Sequence, residues 1–505
     1  MPRYLIAHDL GTSGNKATLF TIEGEMVKSI TYSYPTRFYN GNWAEQNPKD
    51  WWKAVCITNH QLLDKIDKSQ VAGLAFSGQM MGCVIVDQKG DLLQDAIIWA
   101  DQRSVEEENE IRSKMDEKDF YRITGHKISA SYSIEKLMWI RNHKPELFAK
   151  VYKMLLPKDY IIYRLTGKFV TDYSDASGTN AFDINQLQWS EQILQAAGIP
   201  LQMMPEARPS TDIVGEVTSD LAEECGLAPG TKIIIGGGDG VCAAVGAASV
   251  TENVAYNYLG SSSWVAYSSK EPVFDKEMRT FNWVHLVPGY YTPNGAMQAA
   301  GNSFQFMKDV LCDGLQRKAQ EEGNSVYDLM NEEIANSRLG ANGLIFLPYL
   351  LGERSPRWNS DARGAFIGLK MEHTKGDMLR ATVEGILMNL SIVLDIFKDK
   401  SPITSINIIG GLAQGEQICQ ILANIYGVPA YKLNYLEEAT SIGAAVTAGV
   451  GAGVLKGFEE VCKFIRIDTC VKPNMDSNQQ YGAIKQIFDQ SYYALLDIYK
   501  KLAAL

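Results

Sequence analysis

The sequence predicts an α/β protein in which one domain plan occurs twice, giving two like lobes around a central cleft. Three observations carry that prediction. At 505 residues the chain exceeds what a single hydrophobic core ordinarily serves. A strand, turn and strand near the start, YLIAHDLGTSGNKATLF, returns near the middle as VAYNYLGSSSWVAYS over 254–268. Each half also holds an apolar strand that ends in glycines and leads into an alanine-rich helix, IIIGGGDGVCAAVGAA in one and INIIGGLAQGEQICQILANIY in the other. Similarity at a spacing of about 250 residues is too long for a solenoid period and reads as a duplicated domain.

In chain order, the first strand is predicted over 4–7. It runs into Asp9 and a turn of small residues, Gly11-Thr12-Ser13-Gly14. Such a turn offers N–H and hydroxyl donors to phosphate oxygens, whereas a carboxylate repels them unless a cation lies between. Magnesium is the natural intermediary, so the pair admits a nucleotide site, while a plain turn is the simpler reading of this stretch alone. Strands over 16–21 and 26–32 complete an antiparallel hairpin system. A helix is predicted over 48–64, with Trp51, Trp52, Val55 and Leu63 at helical spacing as core, then a strand over 71–76. The acidic run Glu106–Glu110 reads as a solvated helical face. Residues 233–250 approach the length of a membrane span, but Asp239 and three successive glycines make them strand, turn and helix. There Asp239 either caps a helix or serves as a base. The segment 481–505, with Ile484, Ile487, Phe488, Tyr492, Leu495 and Ile498 at helical spacing, is predicted to be a packed helix whose loss destabilises the protein.

Composition narrows the function classes. A net charge of −11 and a pI near 5.2, with no long Lys/Arg cluster, argue against nucleic acid as a partner. Eight cysteines stand singly, without C-x-x-C, and read as reduced core residues of a cytoplasmic protein. The opening MPRYLIAHDLG lacks the features of a signal peptide, and no membrane association is expected. Six dispersed histidines give no metal cluster or catalytic triad, and no G-x-x-x-x-G-K-[ST] run occurs. Small-molecule chemistry is favoured.

Two long patterns then add a resemblance. Ser131 to His143, SYSIEKLMWIRNH, and Gly364 to Leu369, GAFIGL, followed by Asp377-Met378 and Ala381 to Glu384, match in order the two signatures of the FGGY carbohydrate kinases. The chain therefore resembles that family, within the actin and hexokinase-like ATPase superfamily, over nearly its whole length. Within the family the segments NWAEQNPKDWW, FSGQMMG, IIWADQR, LLPKDYIIYRLTG, SDASGT, GGGDG and LPYLLGERSP are similar to those of xylulokinases.

The resemblance implies a duplicated ribonuclease H-like fold with MgATP in the cleft. It implies a lobe of residues 1–247 that holds the sugar and the catalytic acid, and a lobe of residues 248–505 that holds the nucleotide. Asp239 falls on the family's catalytic aspartate. A carboxylate of unperturbed pKa roughly 3.9 would be ionised at neutral pH and ready to take the acceptor's proton. Asp9 falls on the position whose carboxylate approaches magnesium, with Asp239 as the second acid near the metal. Thr12 and Ser13 would meet the outer phosphates, and Gly260, Ser261 and Ser262 form the matching turn of the second lobe. In that turn Ser263 replaces a usual glycine. Gly410, Gly411, Leu412 and Ala413 match the adenosine motif, with Leu412 in place of glycine, and Gln414 and Gln417 are candidate polar contacts.

On the sugar side, Gln79, Met80, Met81 and Gly82 stand where xylulokinases have Gln-Met-His-Gly. Met81 cannot donate the hydrogen bond of that histidine. Trp99, Asp101 and Arg103 would line the site, although Asp101 with Arg103 also reads as a local ion pair. The implied activity is ATP-dependent phosphorylation of a primary hydroxyl of a small sugar, D-xylulose first. L-Xylulose, ribulose, a ketohexose, gluconate or a polyol are alternatives, as is an actin-like ATPase without kinase activity or a sugar-responsive regulator. Gluconate asks for a cation that the sequence does not locate. A homodimer is the oligomer that the resemblance implies.

Overall fold

The structure is a computed structural model that describes residues 2–504. The first lobe is built on a sheet that includes β1 (Tyr4–Leu10), β2 (Gly14–Thr21), β3 (Met26–Ser33) and β4 (Val71–Gly78). It is completed by β5 (Ile213–Glu216) and β6 (Lys232–Ile234), in the order β5-β6-β4-β1-β2-β3. Gly237–Gly238 adds two more residues alongside β4. The second lobe repeats the plan with β7 (Ala255–Leu259), β8 (Ser263–Tyr267), β9 (Phe281–Val284), β10 (Tyr291–Met297), β11 (Ile406–Ile409), β12 (Ala430–Leu433) and β13 (Ile467–Val471). Its order is β9-β10-β8-β7-β11-β12-β13.

The correspondence extends to strand direction. β1 is antiparallel to β2 and parallel to β4, as β7 is antiparallel to β8 and parallel to β11. β4 and β6 run parallel, as do β11 and β12, and each sheet ends on an antiparallel strand. Strand β1, paired on both edges, is longer than predicted. Its ladder continues through Asp9, which lies opposite Lys16 on β2 and Ser77 on β4. Asp9 thus belongs to a rigid strand and not to the turn.

Helices cover the sheets. α1 (Pro48–Leu62) starts on an Asn47 cap, with Pro48 in its first turn, and buries Trp51 and Trp52. α2 (Asp239–Gly246) leaves the glycine bend. The 24-residue α3 (Lys375–Lys398) opens with a Thr374/Asp377 capping box and forms the spine of the second core. α4 (Glu416–Tyr426) follows the second glycine turn. α5 (Ala439–Ala452) packs against α2, and it reaches across to lie on β1 and β4 of the first sheet. In return Ala243 and Ala244 of α2, with Ala247 at its C-terminal end, pack with Tyr256, Ala266 and Ile409 of the second sheet. Each lobe's helix therefore covers the other lobe's strands.

Three expectations are corrected. The terminal segment is two helices, α6 (Met475–Ala494) and α7 (Leu496–Ala503), broken at Leu495. Tyr481, Phe488, Tyr492 and Tyr499 are its buried residues, while Ile487 and Ile498 are exposed and Leu505 lies outside the described residues. The acidic run is no plain solvated face. Glu107 is fully buried and accepts a bond from Asn142, and Glu110 pairs with Lys114 and Arg141. All eight cysteines are free, but Cys462 and Cys470 are exposed because a short 3-10 helix (Phe458–Lys463) and the edge strand β13 leave their side chains outside the core. No helix among the described residues is long and apolar enough to cross a membrane.

Candidate functional site

A cleft of 860 Å³ opens between the lobes. Asp9, Gly11, Lys16 and Asp239 line it from the first lobe, and Gly260, Ser261, Ser262, Gly411, Leu412 and Gln414 from the second. Residues more than 400 positions apart are thereby brought to one wall. Asp9 Oδ1 accepts a bond from Ser77 Oγ at 2.8 Å, and its Oδ2 accepts one from Thr440 Oγ1 at 2.7 Å. Thr440 lies in the first turn of α5, so the acid is oriented by both halves of the chain. Lys16 Nζ makes a second link between the halves by donating to the Glu437 carbonyl at 2.9 Å.

Asp239 is the first residue of α2, and the N-cap is Gly238, so the side chain is free of a capping role. Its Oδ1 accepts only the adjacent Gly240 N–H, at 2.7 Å. The bend beneath it is tight. A Cβ on Gly238 would lie 2.5 Å from Met80 Sδ, which makes Met80 the floor under the acid. The expectation of an Asp239 ionised at its ordinary pKa needs correction. Burial, and after it the charge of Asp9, push the group up to about 7. Burial also raises Asp9, against the lowering effect of Thr440, Ser77 and Lys16.

Of the two turns, Gly260, Ser261 and Ser262 of the second line the cleft, whereas from the first only Gly11 does, with Thr12 and Ser13 beside it but outside the lining. The N–H groups of Thr12 and Ser13 in the first, and of Gly260, Ser261 and Ser262 in the second, have no partner among the described residues. The second turn is held open from behind. Its Gly260 and Ser261 carbonyls accept N–H groups from Ala300, Gly301 and Asn302 at 2.9 to 3.0 Å. Ser263, the residue in place of glycine, points inward and donates to the Tyr258 carbonyl, so it does not narrow the turn. Thr12 Oγ1 accepts the Trp99 indole N–H at 2.8 Å, which leaves its own proton free and couples the turn to the neighbouring Trp99.

Gly410 has φ +95°, and a Cβ there would meet Leu259 backbone atoms at 2.6 Å, so this bend requires glycine. Leu412 and Gln414 face the cleft, Ala413 is buried behind them, and Gln417 is not part of the lining. Sequence reasoning missed Tyr258, Trp264, Asn302, Tyr327 and Asn331, which also line it. Tyr327 and Asn331 come from a helix over 326–336 that carries no motif.

The expected sugar residues divide. Gln79, Met80 and Met81 follow β4 and are buried. Met81 holds a left-handed φ of +62°, and its carbonyl accepts the buried Lys136 ammonium at 2.7 Å. Asp101 and Arg103 turn away into a buried network. Arg103 pairs with Asp101 at 2.7 Å and Glu45 at 2.9 Å, and stacks on Trp43 at 3.8 Å. Met81, Tyr132, Phe281 and Trp283, with half-buried Trp99, Ala296 and Trp358, share one packed cluster across the lobes.

The donor set fits magnesium. Two carboxylates that feel each other's charge stand beside unpartnered N–H groups. No group of three or more His, Cys, Asp or Glu residues capable of holding a metal occurs among the described residues. Phosphate oxygens and water would complete the shell, the arrangement magnesium prefers.

Comparison with known proteins agrees with this geometry. Residues 4–246 match the FGGY family of carbohydrate kinases, N-terminal domain, and residues 255–452 match its C-terminal domain. A xylulose kinase of Staphylococcus epidermidis is 34% identical over 492 residues, covering 96% of this chain and 95% of that protein. Crystal structures of a gluconate kinase and of a ligand-bound xylulose kinase from Lactobacillus acidophilus each superpose with a TM-score of 0.92 at 28% identity. Each alignment covers 99% of both chains. The fold is therefore the duplicated ribonuclease H-like α/β fold, with two lobes around a cleft.

Proposed function

The chain belongs to the FGGY family of carbohydrate kinases, and from that premise we propose that it transfers the terminal phosphate of ATP to a primary hydroxyl of D-xylulose. The observation that carries the reading is the meeting in one cleft wall of Asp9 and Asp239 with the turn Gly260–Ser262 of the opposite lobe, whose three N–H groups have no partner among the described residues. Phosphoryl transfer asks chiefly for in-line positioning and charge neutralisation. Residues 248–505 hold the nucleotide, with Gly410, Gly411, Leu412 and Gln414 around the adenosine, Ala413 packed behind them, and Gly260, Ser261 and Ser262 on the phosphates. Residues 1–247 supply Thr12 and Ser13 to the outer phosphates, and Gln79, Met80, Met81, Trp99, Asp101 and Arg103 around the sugar, the last two through their buried network. Magnesium held by Asp9 and Asp239 would supply neutralising charge to the phosphate oxygens. Asp239 takes the proton of the attacking hydroxyl, for which a pKa close to working pH is favourable. Closure of the lobes excludes water as a competing acceptor.

A second reading has its own support. The Arg354 guanidinium lies 6.0 Å from the Phe281 ring centre, at the aromatic cluster, with no ion-pair partner among the described residues. It is the cation a sugar acid would need, and a relative named gluconokinase, from Bacillus subtilis, is 29% identical. Turnover of D-xylulose, L-xylulose, ribulose, gluconate and polyols, followed by ADP release, decides between the two. Asp239→Asn should lower sugar phosphorylation by at least about a thousandfold with nucleotide binding unchanged within about threefold. Equal turnover by that variant removes the base assignment.

A further inference from the structure

The second sheet presents a buried polar side chain that has no partner among the described residues. On β10, Thr292, Asn294 and Ala296 alternate onto the face that also carries Phe281 and Trp283 of β9. That face covers the start of α2. A Cβ on Gly240, next to Asp239, would meet the Trp283 ring at 2.6 Å, and His126 of the first lobe stacks on Phe281 with centroids 5.7 Å apart.

Asn294 is fully buried, yet neither its amide nitrogen nor its amide oxygen has a hydrogen-bond partner among the described residues. Thr292 Oγ1, Trp283 Nε1 and His126 Nε2 are buried and unpartnered as well. Leaving one such group dry costs about 1–3 kcal/mol, so a concentration of them in one place is retained for something that binds there. Met81, in the same aromatic cluster, offers no donor that would serve instead.

We infer that Asn294 is a specificity residue of the acceptor site, whose amide reads two adjacent hydroxyls of the sugar, accepting a hydrogen bond from one through its oxygen and donating an N–H hydrogen bond to the other. The inference rests on the carbohydrate-kinase reading and deepens it, because it makes the acceptor pocket a product of both lobes. The ligand it fits is a polyhydroxylated chain with a vicinal diol beyond the phosphorylated carbon. A primary amide is suited to this, since it presents one acceptor and one donor side by side.

The test uses the full-length chain and Asn294→Leu, which is near in volume and apolar. With D-xylulose, or whichever sugar of the panel turns over fastest, KM for the sugar should rise at least about 30-fold while KM for ATP stays within about threefold. The ligand-free melting temperature should hold or rise, because a buried group without a partner has been removed. Thermal stabilisation by the sugar should be lost and that by ATP kept. The 3-deoxy and 4-deoxy analogues should be poor substrates of the natural protein, and that penalty should shrink to within about threefold in the variant. A sugar KM unchanged within about threefold, or a fall in melting temperature with sugar stabilisation intact, overturns the inference and makes the amide structural. Should Asn294→Leu not fold, Asn294→Ala answers the same questions. If the natural protein turns over no sugar at all, the kinase reading falls instead.

Discussion

Glu135 shows how burial sets a residue's chemistry. It accepts one bond, from Asn180 at 3.0 Å, and its second oxygen is buried without a partner, so burial pushes the acid up to about 8. The folded protein thus holds a proton that the unfolded chain releases above its ordinary value of 4.5. Wild-type stability should accordingly fall as pH rises from 4.5 towards 8 through this residue. Glu135→Gln removes the liability. Its unfolding free energy from urea titration should match the wild type near about pH 5 and exceed it at about pH 8.5, by an amount on the order of 3 kcal/mol. Parallel unfolding free energies across that range would contradict the assignment. The same physics separates what was legible at this scale. Asp9, Asp239 and the two turns stand in short patterns of small residues, and those patterns are visible in the chain. The raised pKa of Asp239 and the inward turn of Arg103 are not, because both depend on neighbours distant in sequence.

At the scale of elements, hydrophobic periodicity located the strands and helices, and the differences lie at their ends. β1 continues through Asp9 because partners on both edges extend its ladder, a tertiary effect. The terminal helices illustrate the converse. The periodic pattern announced a packed helix, but the break at Leu495 and the choice of Tyr481, Phe488, Tyr492 and Tyr499 as anchors follow from the surface of α3 and its neighbours. Tyr481 Oη donates to Glu384 at 2.7 Å, and Arg380 bonds the same carboxylate. Truncation after Gln480 removes the four tyrosine and phenylalanine anchors, at about 1.5–3 kcal/mol each, and strands the Arg380–Glu384 pair. The truncated chain should be recovered unfolded or aggregated, as judged by gel filtration and near-UV circular dichroism. A monodisperse, active product would contradict this account.

For the whole molecule, the decisive contact is the crossing of α2 and α5. A Cβ on Gly443 would lie 2.0 Å from the Cys242 carbonyl, and one on Gly246 would lie 1.9 Å from that of Ala439, so both helices approach through glycine. Because each helix also covers the other lobe's sheet, this crossing fixes where Thr440 meets Asp9. Gly443→Ala should destabilise by about 2 kcal/mol or more through overpacking and raise KM for ATP as the Thr440 contact shifts. Gly482→Ala, on α6 with open space around it, is the control and should be neutral or stabilising. Equal melting temperatures for the two variants would show that the crossing bears no such strain.

The sequence by itself determined the duplication, the two donor turns, the paired acids and the family, because turn chemistry and strand periodicity are local properties that a chain carries wherever it folds. Only the tertiary structure decided which face of each element looks into the cleft. It turned Asp101 and Arg103 inward, brought Tyr327 and Asn331 to the wall and left the amide of Asn294 unpaired beside α2. Those outcomes depend on packing between residues hundreds of positions apart, and no local pattern records them.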